Sequence, residues 1–76
     1  MPEQKHEQKR SVTISGHRTS VSLEAEFWDA LREIAEARRQ SVSSLVAAID
    51  ETRGSRGLSS SIRLHVLDYY REKASR

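Results

Sequence analysis

The sequence predicts a small, mainly α-helical fold with one short strand and three helices, completed by a second copy of the same chain. Three observations predict it. From Arg18 to Leu23 the residues alternate, with Thr19, Val21 and Leu23 on one side and Arg18, Ser20 and Ser22 on the other. That is the period of a strand with one buried face. At Glu24 the period changes, and Phe27, Leu31, Ile34 and Ala35 fall on the stripe of an amphipathic helix. The chain also has only 76 residues and no cysteine. A chain this short buries a limited share of its surface and usually needs a staple or a partner.

The elements follow in order. Residues 1–10 are polar, charged and aperiodic, and read as a disordered tail preceding a single domain over 11–76. Ser11 to Ser15 alternates too, with Val12 and Ile14 on one side, before Gly16 and His17 interrupt it. This 11–15 segment either extends the main strand through a bulge at Gly16 or folds back as a short edge strand. The main strand covers about 18–23. The first helix spans about 24–39, with Glu24, Glu26 and Asp29 near its start and Arg38 and Arg39 at its end, as the helix dipole favours. Ser41 is a suitable N-cap for a second helix over about 42–53, whose stripe is Val42, Leu45, Val46 and Ile49. Arg53 to Gly57 forms a loop. One of Ser59, Ser60 and Ser61 then caps a third helix over about 59–74. The chain reads as free of internal repeats.

The strand lacks an evident partner, because no second alternating run joins it through a hairpin turn. An unpaired strand leaves backbone N–H and C=O groups unsatisfied. The expected remedy is an intertwined homodimer with an intermolecular antiparallel two-stranded ribbon. Val21, Leu23, Phe27, Trp28, Leu31, Ile34, Leu45 and Ile49 are the expected dimer core.

Composition narrows the function. The net charge of +2 is mild. The first helix is its acidic part, with Glu24, Glu26, Asp29, Glu33 and Glu36 against Arg32, Arg38 and Arg39. A polyanion would therefore meet the strand, the tail or the second half. No apolar run approaches bilayer length, so a cytoplasmic protein without a membrane partner is expected. His6, His17 and His65 lack metal-ligand spacing. No nucleophile with a base partner and no glycine-rich phosphate loop appears, so neither catalysis nor a cofactor is expected.

Thr19-Ser20-Val21-Ser22-Leu23 leading into Phe27, Leu31, Ile34 and Ala35, then Ser41-Val42-Ser43-Ser44-Leu45, resembles the Arc/MetJ-type ribbon-helix-helix family. The resemblance covers roughly residues 18–53, and the third helix lies beyond it. It implies a homodimer whose ribbon enters the major groove of double-stranded DNA. Carried over position by position, it makes Arg18, Ser20 and Ser22 the base-contacting residues. Ser41, Val42 and Ser43, at the start of the second helix, become the phosphate-contacting residues. The function so implied is that of a homodimeric transcriptional regulator. The family often places more Arg, Lys, Asn or Gln on its outward strand positions than this chain does. The alternatives are a dimeric protein-interaction module, antitoxin-like or adaptor, and a binder of a small anion or nucleotide.

Overall fold

The computed structural model describes residues 7–75. Two strands come first, β1 over Glu7–Ile14 and β2 over His17–Glu24. Three helices follow, α1 over Ala25–Ala37, α2 over Val42–Thr52 and α3 over Leu58–Ala74. The expected spans of the helices hold to within two residues.

The strand's partner differs from expectation. β2 pairs antiparallel with β1 of the same chain, in a register that runs from Glu7 opposite Glu24 to Ile14 opposite His17. The two-stranded ribbon is present, but one chain builds it. Of the two readings of 11–15, the fold-back is the one realised, and it extends further than expected. Residues 7–10, expected in the disordered tail, are strand, because β2 offers them backbone partners along its whole length. Residues 1–6 lie outside the described residues.

Ser15 and Gly16 form the connection, with φ of 51° and 81°. Two successive left-handed residues define the type I′ turn, whose twist matches that of the flanking strands. Gly16 adopts this conformation without steric cost, whereas Ser15 carries a modest one.

One face of the hairpin lies on the helices. Val12, Val21 and Leu23 are buried there with Trp28, Leu31, Ile34, Leu45, Ile49 and Ile62. Each fully buried aliphatic side chain contributes roughly 1.5–3 kcal/mol. The residues expected at a dimer core are thus already enclosed within one chain. Phe27 is the exception: it is half-buried, with the Arg63 guanidinium 5.8 Å from its ring centre.

The helix ends follow local chemistry. α1 closes with Arg39 N–H donating to the Glu36 carbonyl and Gln40 N–H to that of Ala35. This is the Schellman pattern, with Arg39 in its left-handed position at φ 57°. Ser41 caps α2 as expected, its Oγ accepting from Ser44 N–H at 3.0 Å. The serine cap expected for α3 does not form, since Gly57 occupies the N-cap. Ser59 instead donates its hydroxyl to the Ser22 carbonyl at 3.1 Å, which pins α3 to β2.

Candidate nucleic-acid interface

Residues directly opposite each other in an antiparallel pair point to the same face. The register therefore gathers Lys9 and Ser22, Ser11 and Ser20, and Thr13 and Arg18 on the face turned away from the helices. Lys9, Ser11, Thr13, Arg18 and Ser20 are exposed, and Ser22, whose carbonyl accepts from Ser59 of α3, is half-buried. The three base-contacting residues expected from the sequence do share one face. Sequence reasoning does not assign Lys9, Ser11 and Thr13 to this face, because Lys9 reads as part of the polar tail and the 11–15 segment is left open between an extension of the main strand and a fold-back.

Glu7 and Glu24 close the base of this face. Arg63 donates to both carboxylate oxygens of Glu24, at 3.0 and 3.2 Å, and lies 3.5 Å from a Glu7 oxygen. Its hydrogen bonds hold the Glu24 carboxyl below the usual range. A single guanidinium thereby pairs with Glu24 and reaches Glu7, offsetting one of the two negative charges at this end of the hairpin. Of the two outward cations, Arg18 is flanked by the hydroxyls of Thr13 and Ser20, whereas Lys9 stands between that hydroxyl surface and the Glu7–Glu24 base.

The start of α2 borders β1. The N–H groups of Val42 and Ser43 lie in the first turn, where a helix offers them no acceptor. These two residues line a cleft of about 210 Å³ together with Arg10, Ser11, Val12, Trp28 and Arg32. The start of α2, with its helix-dipole charge, thus borders this space together with two arginines and two serines. Arg10 also lies over the Trp28 ring at 5.0 Å, and Arg32 lies 3.3 Å from Asp29. Ser11 borders the cleft and also lies on the outward face, so β1 runs between the outward residues and Val42 and Ser43, while Ser41 caps α2 outside the cleft lining. Arg38 points elsewhere, onto the ring of Tyr69 and to His65 Nε2 at 3.1 Å.

Among the described residues, no three His, Cys, Asp or Glu side chains gather as metal ligands. No described helix is long and apolar enough to cross a membrane.

A polar β-hairpin backed by helices, with a capped helix start beside it, defines a class of small β-ribbon proteins. A family model described as a ribbon-helix-helix domain matches residues 7–70, and the chain belongs to that family. Its fold carries an additional C-terminal helix, α3. Among solved structures, an uncharacterized protein from Bordetella pertussis Tohama I is similar, with a TM-score of 0.75 and 30% identity. The match covers 91% of this chain and 59% of that one, so the chain spans about three fifths of that protein's length. No curated protein matches.

Proposed function

We propose that the chain binds double-stranded DNA as a cytoplasmic, homodimeric transcriptional regulator. The observation that carries this reading is the outward hairpin face: beyond the Glu7–Glu24 base that Arg63 holds, five exposed side chains line it, two of them cationic and the other three hydroxyl-bearing. A major groove about 12 Å wide admits a two-stranded ribbon. Arg18 is the side chain suited to fork onto guanine, whereas Ser20 and Ser22 accept or donate to any base edge and permit close approach. Ser41, Val42 and Ser43 present the start of α2 to a backbone phosphate, with Arg10 and Arg32 at the same cleft.

The test is a gel-shift series on a pool of duplexes at two salt concentrations. Binding should weaken steeply as salt rises. Replacing Arg18 with Ala should cost about 1–3 kcal/mol at the base it contacts and relax the preference there.

One observation favours a second reading, as a protein-interaction module. Leu64 and Leu67 lie a turn apart on α3 and remain 39% and 48% exposed. Absence of any salt-sensitive shift, together with capture of a protein partner that is lost in Leu67→Glu, would support it over DNA binding.

A further inference from the structure

The hairpin contains a repeat that its register turns into symmetry. Lys9-Arg10-Ser11-Val12-Thr13-Ile14 and Arg18-Thr19-Ser20-Val21-Ser22-Leu23 align at an offset of nine residues. A cation matches a cation, Ser matches Ser, Val matches Val, Thr matches Ser and Ile matches Leu. Only Arg10 and Thr19 differ in kind. The expectation of a chain without internal repeats does not hold here. The first copy begins among residues that carry no apolar pattern, which conceals it.

In an antiparallel pair, a two-fold axis normal to the sheet exchanges the strands and reverses their direction. The observed register sets Ser11 opposite Ser20. An axis through that pair carries Lys9 onto Arg18 and Thr13 onto Ser22 on the outward face. On the inward face it carries Val12 onto Val21 and Ile14 onto Leu23. The equivalences of the axis are therefore the equivalences of the repeat. Both valines are buried, at 5% and 2% exposure.

We infer that β1 and β2 are two copies of one reading strand, so that a single chain carries a complete, nearly two-fold ribbon. Lys9 and Arg18 are equivalent groups placed at opposite ends of the face. They stand four residues apart along the strand, about 13 Å at about 3.3 Å per residue. That distance matches roughly four base-pair steps of ~3.4 Å. The ligand class is a short duplex element of near-palindromic sequence, read by one hairpin. Ser11 and Ser20 meet its centre, and the two cations meet its symmetry-related ends. A homodimer would carry two such elements, one per protomer. The base of the hairpin is already fastened within the chain, by Arg63 across Glu7 and Glu24 and by Ser59 on the outer edge of β2 at Ser22.

This inference rests on the DNA-binding reading, and one experiment separates their failures. Glu7 and Glu24 are directly opposed at the base. The two-residue turn makes theirs a non-hydrogen-bonded pair, whose Cα separation of about 4.5 Å suits a disulfide. The chain has no cysteine of its own. In the E7C/E24C double variant, oxidation should link the hairpin within one chain. Duplex affinity should stay within about twofold of the reduced form of the same variant, a difference under ~0.5 kcal/mol. Single Lys9→Ala and Arg18→Ala variants should lose affinity by similar factors, and selected duplexes should show the losses at symmetry-related base pairs. Disulfide-linked dimers overturn the inference, as does binding abolished by oxidation and restored by reduction. Loss in Arg18→Ala with none in Lys9→Ala also overturns it. Each of these outcomes leaves DNA binding standing. A parent chain that shifts no duplex at either salt concentration removes both. If the double variant does not fold, the paired alanine substitutions decide.

Discussion

The indole of Trp28 donates to the Gln8 carbonyl at 2.8 Å, and the same ring lies 5.0 Å beneath the Arg10 guanidinium. This one side chain of α1 holds the first half of β1, where Glu7 to Arg10 supply no apolar residue of their own. Trp28→Phe keeps much of the packing and removes the donor. It should cost about 1–3 kcal/mol in urea unfolding. Amide exchange should rise first at Gln8 to Arg10. Unchanged exchange there would show that the indole does not anchor the strand.

Arg39 offers a gain in stability. It is a non-glycine residue in the left-handed conformation, which costs roughly 1–2 kcal/mol relative to glycine. Arg39→Gly should raise the unfolding midpoint, with a gain near 1 kcal/mol after the entropy lost to the freer unfolded chain. Arg39→Val should lower it. The same denaturant curves measure both, and a gain for Val would refute the assignment.

Acid should weaken the hairpin base. The Arg63 hydrogen bonds lower the Glu24 carboxyl pKa from its ordinary 4.5. A carboxyl lowered in the folded state stabilises above its unfolded pKa, and that contribution fades as pH falls through the folded value. His65 acts in the same direction. Burial lowers its pKa from 6.5, and the neighbouring Arg38 charge adds to the effect. The unfolded chain thus takes up the proton more readily, and stability declines as pH falls below 6.5. His65→Gln should flatten the part of the stability profile near pH 6, and Glu24→Gln the part below 4.5. A profile unchanged by both would contradict these contacts.

Alkali should expose another pair. Tyr70 donates its hydroxyl to Glu33 Oε1 at 2.7 Å, and this bond helps to push its pKa up to about 12. A group raised in the folded state stabilises fully below its unfolded value of 10, and the contribution is lost as pH rises toward 12. Absorbance titration should show a late phenolate step that disappears in Tyr70→Phe and moves earlier in Glu33→Gln.

The helices were legible because Phe27, Leu31 and Ile34, and likewise Leu45, Val46 and Ile49, face one core and keep the helical period. β2 was legible for the same reason, with Val21 and Leu23 inward. β1 was not, because Glu7 to Arg10 is entirely polar and derives its order from backbone pairing and from Trp28. The turn was also obscure. Ser15-Gly16 adopts a conformation that Asn-Gly or Asp-Gly would have advertised, and only the placement of Ile14 and Val12 before it, and Thr19 and Val21 after it, marks the hairpin. Of the candidate interface, Arg18, Ser20, Ser22 and the Ser41 cap could be read directly. Lys9, Ser11 and Thr13 depended on the missing register.

Closing the ribbon through two residues also shapes how the molecule forms. Neighbours in sequence meet first, and β-hairpins assemble on the order of 1–10 μs. Such local contacts favour fast folding. Acquisition of the ribbon should then proceed at a rate independent of protein concentration, whereas a ribbon shared between chains must wait for a collision.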